Sequence, residues 1–190
     1  MIKNFFAFVL ELLKIVVISL VIIIPVRYFL IQPFYVKGAS MEPNFYDHEY
    51  LIIDEISYRF NEPKRGDIIV FRYPKDPQEY FIKRVIGLPG ESVQIKDGRV
   101  YVFNQTNPEG FALAEGYLSV DLKTYGLNED KVNLGDQEYF VLGDNRNQSK
   151  DSRYFGAVNQ SFIIGRVMFR GWPFNRVTVF ETPQYSSAIN

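Results

Sequence analysis

The chain of 190 residues contains no cysteine and a single histidine, His48. The lack of cysteine excludes disulfide bonds and thiolate metal sites. With only one histidine as well, we expect neither a metal site nor a cofactor. The net charge is −1 and no long basic run occurs, so the sequence predicts no nucleic-acid partner. A content of 47% hydrophobic and 23% charged residues excludes a disordered chain and is typical of one folded domain.

One long apolar run is present near the N-terminus. Residues 5–24 approach the length, about 20 residues, that a helix needs to cross a bilayer core. Glu11 and Lys14 interrupt the run, so the membrane-spanning part is expected at about Leu12 to Leu30, with Arg27 reaching to the interface. No small-x-small cleavage site follows, which argues against a removed secretory signal. Basic residues on the two sides are nearly balanced, so charge alone leaves the orientation open.

Beyond Pro33, short runs of β-branched and aromatic residues alternate with turn signals. This pattern predicts strands, and no helical periodicity of comparable strength occurs after the N-terminal segment. We therefore expect a mostly β protein, with one N-terminal transmembrane helix followed by an antiparallel β sandwich or barrel-like domain. The polar stretch from Gln105 to Gly135 is expected to be an irregular excursion. The expected strands are 34–37, 50–55, 67–71, 81–86, 92–95, 99–103, 137–142, 162–169 and 177–180.

Ser40 lies in the segment Gly38-Ala39-Ser40-Met41-Glu42-Pro43, shortly after the apolar run. Two small residues precede it and let another backbone approach closely, while Pro43 constrains the exit from the turn. A serine hydroxyl is a poor nucleophile unless a neighbouring base takes its proton. His48 lies in a polar stretch, and a lysine is the known alternative base in Ser-Lys pairs. Taken alone, the segment also fits a simple loop after a membrane helix.

Lys83 is the best candidate for that base. In a strand, Phe81, Lys83 and Val85 share one face, and both faces of this segment are otherwise apolar. A lysine covered in this way loses hydration, which lowers its pKa toward the value that a general base needs. The alternatives are a lysine that reaches solvent from the strand end or one that pairs with a carboxylate. Arg84 is expected to be structural, because arginine keeps its proton.

Four blocks in this order resemble the bacterial type I signal peptidases of the single-span form. The blocks are Gln32-Pro33-Phe34 leading into Ser40-Met41-Glu42-Pro43, then 66–71, 83–91 and 143–156. The resemblance extends from about Glu11 to Val177, except between Ser92 and Gly135. It implies a membrane-bound serine endopeptidase that cleaves N-terminal signal peptides from exported preproteins after small residues. Ser40 would be the nucleophile and Lys83 the base.

The resemblance also implies roles for the polar block from 143 to 156. Ser149 would orient the lysine amine by a hydrogen bond. Asp151 and Arg153 would form a pair that fixes the loop, and Arg146 would be a further support. Such roles fit the chemistry, because a neutral amine needs a partner that holds its lone pair toward the serine.

For substrate binding, the resemblance implies that Phe34, Val36 and Ile82 line pockets for small residues. An extended peptide would pair along such a strand edge. Some members of the family carry a serine two residues before the nucleophile, whose hydroxyl helps to stabilise the oxyanion. Gly38 occupies that position here, so more of this task would pass to the backbone N–H of Ser40.

The location follows from the resemblance rather than from charge. It implies a cytoplasmic tip and transmembrane helix at 1–31 and an extracytoplasmic peptidase domain at 32–190, with an inserted subregion at about 92–136. The expected partners are signal peptides, the lipid bilayer and the secretion translocon. Near the C-terminus, Trp172 and Phe174 are flanked by arginines and fit a membrane interface as well as core packing.

Two other functions share parts of this pattern. A self-cleaving, repressor-type Ser-Lys protease would need a DNA-binding segment where the apolar run lies. A non-catalytic, peptidase-like chaperone or scaffold for surface proteins would be expected to lose the serine or the lysine. Both Ser40 and Lys83 are present, so the endopeptidase is the favoured hypothesis.

Overall fold

The computed structural model describes residues 2–29, 31–183 and 185. Helix α1 (Ile2–Phe29) is the long N-terminal helix that the apolar run predicts. Its part from Phe5 to Ile24 is long and apolar enough to cross a membrane, and none of it is buried against the rest of the protein. Leu30, the last residue of the expected span, lies outside the described residues, as do 184 and 186–190 of the expected peptidase domain.

After α1 the chain is mostly β, as the sequence predicts. The strands are β1 (Ile31–Tyr35), β2 (Tyr50–Asp54), β3 (Ile68–Tyr73), β4 (Asp76–Gly87), β5 (Ser92–Lys96), β6 (Arg99–Asn104), β7 (Asn107–Ala112), β8 (Val132–Asn133), β9 (Glu138–Leu142), β10 (Val158–Asn159), β11 (Ile163–Trp172) and β12 (Thr178–Val179). The short helices are α2 (Ser57–Phe60) and α3 (Ser152–Phe155), and 3-10 turns occur at Gln160–Phe162 and Phe174–Arg176.

The strands form two antiparallel sheets. The larger sheet has the order β1-β2-β11-β3-β4-β9-β10, with β12 paired to β11. The smaller sheet has the order β7-β6-β5-β8 and belongs to the middle of the chain. One N-terminal helix followed by an antiparallel β domain confirms the expected fold class.

The expectation of an irregular stretch from Gln105 to Gly135 is wrong in part. Strand β7 pairs with β6, and β8 pairs with β5, so both ends of the stretch belong to the smaller sheet. Pro108 and Gly110 hide β7 in the sequence because both residues usually mark turns. An edge strand tolerates them, since one side of its backbone needs no partner. Gly110 has φ +79, and the Phe103 ring fills the space that a side chain would need.

Three hydrophobic clusters hold the sheets together. The first contains Phe45, Leu51 and Val70 and lies under the segment that carries Ser40. The second joins the two sheets and includes Ile86 and Val93. The remaining cluster packs β3, β4 and β9 against one another around residues such as Val85 and Val141, which are fully buried. These clusters make the sheets a rigid support for the polar loops at their ends.

Strand β4 of the larger sheet contains Lys83 and therefore forms part of the candidate site. It pairs with β3 on one side through Arg84, while β9 pairs with it on the other side only from Arg84 onward. Within the described chain, residues 80–83 therefore face no strand on the β9 side. β9 ends at Leu142, and the polar loop 143–151 begins directly beside this open part of β4.

Candidate active site

The structure brings Ser40 and Lys83 into direct contact. Lys83 Nζ lies 2.7 Å from Ser40 Oγ and also donates to the carbonyl oxygen of Ile82 at 2.7 Å. Ser40 lies in the turn after β1, and Lys83 points inward from β4. This distance is within the reach that a base needs to take a proton from a hydroxyl group.

The environment of Lys83 makes its amine a stronger candidate base than an ordinary lysine. The residue is 3% exposed, and burial lowers the pKa of its amine from 10.5 to about 8. The negative charges of Asp151 and Asp144 oppose this shift, because they favour the ammonium form. The net effect is an amine that is neutral in a useful fraction of molecules at mildly alkaline pH.

The turn that carries Ser40 is fixed by an asparagine from the loop after β9. The Asn145 N–H donates to the carbonyl oxygen of Ser40 at 3.1 Å, and Asn145 Nδ2 donates to the carbonyl oxygen of Ala39 at 3.0 Å. Both bonds orient the main chain, so they leave the Ser40 hydroxyl free for Lys83. Asn145 thus determines where the serine lies relative to β4.

The backbone N–H of Ser40 has no hydrogen-bond acceptor among the described residues. The N–H of Gly38, by contrast, donates to Asp47 Oδ1 at 2.9 Å. Gly38 has φ +88, a conformation that favours glycine, and a Cβ atom there would meet no heavy atom within 4 Å. The free Ser40 N–H is therefore the available main-chain donor for an oxyanion at this turn.

The structure does not form the hydrogen bond that was expected between Ser149 and Lys83. Ser149 Oγ is buried and has no hydrogen-bond partner in the described chain. The hydroxyl instead packs against Gly143, on the side where Gly143 also approaches the carbonyl oxygen of Ser40. The Lys83 amine bonds to Ser40 and to the Ile82 carbonyl, while the packing of Ser149 against Gly143 keeps its hydroxyl out of hydrogen-bonding geometry with the amine.

Arg84, the residue after Lys83 on β4, forms a buried ion pair with Asp144. Arg84 donates to Asp144 from Nε to Oδ1 at 2.8 Å and from its terminal nitrogen to Oδ2 at 2.6 Å. Asn44, on the turn after Ser40, donates to the same carboxylate at 2.8 Å. The side chains of Arg84 and Asp144 are 4% and 0% exposed, and the ring of Tyr117 covers the guanidinium at 3.9 Å. This pair connects β4, the loop after β9 and the Ser40 turn.

Asp151 and Arg153 form the pair that the resemblance implies. Arg153 donates from Nε to Asp151 Oδ1 and from a terminal nitrogen to Oδ2, both at 2.8 Å. Asp151 Oδ2 also accepts the N–H of Gly143 at 3.0 Å. The pair therefore closes the loop from 143 to 151 on itself and fixes its first residue.

Arg146 connects the same loop to the smaller sheet region. Its Nε donates to the carbonyl oxygen of Gly143 at 3.1 Å, and its terminal nitrogens donate to Glu115 and Thr124. Glu115 and Thr124 belong to the segment between β7 and β8. The inserted segment thus contributes to the shape of the loop that contacts Ser40.

Ser40 and Lys83 lie on the wall of a cleft of about 640 Å³. Phe34 and Ile82 line it, as expected, whereas Val36 does not. Val36 is 1% exposed and packs in the cluster that contains Phe45, so its expected place on the pocket surface is wrong for this structure. The chain leaves β1 after Tyr35, and Val36 turns into the core because its N–H and C=O bond to residues 49 and 48.

Sequence reasoning missed several residues of this site. Asn44, Asp144 and Asn145 were visible only as part of polar segments, because their partners are 60 to 106 positions away in the chain. Lys37 and Lys150 also line the cleft. The available signal for Lys37 was its charge beside apolar neighbours, whereas Lys150 is one more charge in a polar block and gave no signal of its own. His48, the other base considered, is 74% exposed, pairs with Asp47 at 2.8 Å and does not line the cleft.

Comparisons with known proteins identify the family of this chain. A family model described as "Signal peptidase, peptidase S26" matches residues 9–172. The chain is 40% identical over 186 residues to "Probable signal peptidase I-2" of Synechocystis sp., covering 95% of this chain and 81% of the relative. It is 40% identical over 181 residues to "Signal peptidase I" of Leptolyngbya laminosa, covering 91% and 84%.

A more distant relative and a solved structure belong to the same group. "Signal peptidase IB" of Staphylococcus aureus is 32% identical over 178 residues, covering 88% of this chain and 91% of the relative. A crystal structure of a signal peptidase I from Enterococcus faecalis V583 has 34% identity and a TM-score of 0.46, covering 57% of this chain and 98% of that one. With a family model that matches most of its length and relatives at 40% identity, the chain belongs to the signal peptidase family, peptidase S26.

Proposed function

We propose that this protein is a membrane-bound serine endopeptidase that removes N-terminal signal peptides from exported preproteins, with Ser40 as nucleophile and Lys83 as general base. The observation that carries the proposal is the 2.7 Å contact between Ser40 Oγ and the buried Lys83 amine. The lowered pKa of this amine supports the same role, because a base has to be neutral before it can accept a proton.

In the first half-reaction, neutral Lys83 takes the proton of the Ser40 hydroxyl as Oγ attacks the scissile carbonyl carbon. The resulting oxyanion accepts a hydrogen bond from the free N–H of Ser40. The tetrahedral intermediate then collapses, and the Lys83 ammonium returns the proton to the departing amine of the mature protein. The signal peptide remains bound to Ser40 Oγ as an ester.

In the second half-reaction, a water molecule replaces the departed amine. Neutral Lys83 takes a proton from this water as its oxygen attacks the ester carbonyl carbon, and the protonated amine then gives that proton to Ser40 Oγ. The signal peptide leaves with a carboxylic acid group, which loses its remaining proton to solvent, and both side chains return to their starting states. One residue thus acts as base and acid in turn, as in other Ser-Lys enzymes.

The cleft supports an extended peptide as substrate. Residues 80–83 of β4 have no neighbouring strand on the side of β9. A substrate strand can therefore pair with this open edge, beside Ser40, by main-chain hydrogen bonds. Phe34 and Ile82 supply apolar walls next to the nucleophile, and Phe34 is braced by Tyr80 at a ring distance of 6.0 Å. Because Phe34 and Ile82 line the same cleft as Ser40, we expect small side chains just before the cut, and Val36 packs behind these walls.

We propose that residues 1–31 anchor the protein in the bilayer, with the N-terminus in the cytoplasm. Residues 32–190 then form the extracytoplasmic peptidase domain, with the subregion at about 92–136 as an insertion. The apolar part of α1, none of which is buried in the protein, supports the anchor. This arrangement places the cleft where preproteins emerge, so the secretion translocon is the expected partner and no nucleic acid is involved.

The decisive experiment is to incubate the purified full-length protein with a preprotein and to sequence the new N-terminus. We expect one cut after a small-x-small motif, and no cut by the Ser40→Ala or Lys83→Ala variants. Mass spectrometry of wild-type protein after a rapid acid quench should detect the acyl group on Ser40.

The alternatives give different results. Binding of the preprotein without cleavage or acylation would identify a non-catalytic scaffold. A cut confined to the protein's own chain would identify a self-cleaving Ser-Lys protease. Cleavage that persists in Ser40→Ala would overturn the assignment of the nucleophile.

A further inference from the structure

Besides Lys83, the cleft is lined by Lys150, which has no carboxylate partner among the residues that the structure describes. Lys150 directly follows Ser149 and is exposed to solvent on the cleft wall. Its ammonium group lies 4.4 Å from the ring centroid of Tyr73 and 5.9 Å from that of Phe81. Across the described parts of the chain, no ion pair joins Lys150 to an aspartate or a glutamate. Its charge is therefore available to a bound ligand.

The aromatic residues under Lys150 hold its ammonium in one region of the cleft. Tyr73 stacks on Phe81 at 4.6 Å with an interplanar angle of 13°, and Phe155 meets the Tyr73 ring edge-on at 5.4 Å. A cation over such rings is attracted by their faces, which limits the freedom of the long side chain. A lysine held in this way loses less entropy when it binds an anion than a freely moving one.

The distance between the Lys150 and Lys83 amines is limited by the Phe81 ring, which both amines approach. Lys83 Nζ lies 5.2 Å from the same Phe81 centroid, so the two amines are at most about 11 Å apart. An extended peptide advances about 3.3 Å per residue. A substrate side chain within about three residues of the scissile bond is therefore within reach of Lys150.

The other charged residues of the cleft also favour binding of a negatively charged group. Lys37 also lines the cleft, and Glu79 is the one acidic residue among the described residues of its lining. In the portion of the chain that the structure describes, Glu79 forms no ion pair with either lysine. The cleft is thus positively charged around an apolar floor.

We propose that Lys150 determines specificity by binding an aspartate or glutamate of the substrate close to the scissile bond. The inference rests on the proposed function, and it adds a charge preference to the requirement for small residues. The small positions first and third before the cut are closed to a carboxylate. The acidic residue therefore occupies the second position before the cut or one of the first three positions after it.

The test uses the full-length protein in detergent and a series of small-x-small peptides. Each of the four open positions carries Asp, Asn or Lys in turn, and kcat/KM is measured for every peptide. The enzymes are wild type, Lys150→Gln, Lys150→Arg, Lys150→Glu and the matched control Lys131→Gln. Lys131 also stacks on a ring, Phe103 at 3.4 Å, but does not line the cleft. Thermal unfolding of each variant reports on folding.

At one position we expect the wild type to favour Asp over Asn by about two- to fivefold, the range for a partly exposed ion pair. The ratio should fall as salt is raised, because salt screens exposed charges. Lys150→Arg and Lys131→Gln should keep the ratio, Lys150→Gln should abolish it, and Lys150→Glu should reverse it toward Lys.

Two results would overturn the inference, and they are distinguishable from failure of the proposed function. Equal kcat/KM values for Asp, Asn and Lys at all four positions would exclude a charge preference. A preference that survives in Lys150→Gln would assign it to another residue. Failure of the wild type to cleave any peptide would instead refute the proposed function, and the charge preference with it.

Discussion

Arg84 and Asp144 form a buried ion pair with two hydrogen bonds, next to the Ser40–Lys83 contact. Arg84 is the neighbour of Lys83 on β4, and Asp144 is the neighbour of Asn145, which holds the carbonyl oxygen of Ser40. The two residues that would react are therefore connected through their chain neighbours. Any change that separates this pair is expected to move Ser40 relative to Lys83.

The first prediction is that Asp144→Asn strongly destabilises the protein. It leaves the Arg84 guanidinium buried without its counter-charge, which typically costs about 3–5 kcal/mol of unfolding free energy. The matched control is Arg166→Gln, because Arg166 is 32% exposed and lies 3.8 Å from Asp54. That variant should lose at most about 1 kcal/mol. Denaturant unfolding in detergent measures both, and equal losses would contradict the buried role of Asp144.

The second prediction concerns pH. Lys83 accepts a proton only when its amine is neutral, so kcat/KM should rise as pH increases through about 8. Lys83→Arg should fold and be inactive, because arginine keeps its proton, while Lys131→Arg should keep the wild-type profile. The measurement is kcat/KM on an uncharged peptide from pH 6 to 10. An active Lys83→Arg enzyme would exclude Lys83 as the base.

The third prediction is that Lys83→Met is more stable than the wild type, although it is inactive. Below about pH 8 the wild type buries a charged amine, and the lowered pKa means that this form is disfavoured in the folded state. The pKa falls from 10.5 to about 8, and one pKa unit is worth about 1.4 kcal/mol, so we expect a gain on the order of 3 kcal/mol at pH 7. The gain should shrink between about pH 8 and 10.5, where the folded wild type holds a neutral lysine. A gain that is independent of pH would disagree with this account.

The fourth prediction separates backbone strain from oxyanion stabilisation at Gly38. Both Gly38→Ala and Gly38→Ser should lose about 1 kcal/mol of stability, because φ is +88 and the strain of a side chain there is the same. There is space for either side chain. The serine variant should cleave faster than the alanine variant, by less than the factor of about 10²–10³ that a native donor provides. Equal rates would mean that the added hydroxyl does not reach the oxyanion.

The fifth prediction is that Gly143→Ala abolishes most activity. A Cβ atom at this position would overlap Ser149 and the carbonyl oxygen of Ser40, so the nucleophile has to shift. Displacement by about 1 Å is enough to reduce the rate about 10²-fold. Gly116→Ala is the control, since a Cβ atom there meets nothing within 4 Å. Comparable activity of the two variants would exclude the tight approach.

The sequence predicts the architecture better than the details of the site. Alternating apolar residues located most strands of the larger sheet, because one side of each strand packs on a core. The same signal failed for β7, where Pro108 and Gly110 interrupt the pattern of an edge strand. It also failed for the depth of Val36, since alternation indicates a face but not whether that face lies in a cleft or beneath it.

For the candidate site, the residue types were recognisable but their partners were not. The apolar surroundings of Lys83 indicated burial and a lowered pKa from local sequence alone. The contacts of Asn145 with Ala39 and Ser40 bridge more than 100 positions, and no local pattern encodes such a contact. Ser149 was expected to bond to Lys83, yet which of several neighbouring acceptors an amine chooses depends on the packed geometry.

The hydrogen bonds from Asn145 to the Ser40 turn also determine when the site can form during synthesis. Ser40 and Lys83 are both made within the first half of the chain, whereas Asn145 and the Asp151–Arg153 pair follow more than 60 residues later. At roughly 5–20 residues per second, the ribosome needs several more seconds to supply them. If Ser40 and Lys83 react as proposed, a nascent chain carries both residues well before it can align them, and proteolysis has to wait until most of the domain has been made.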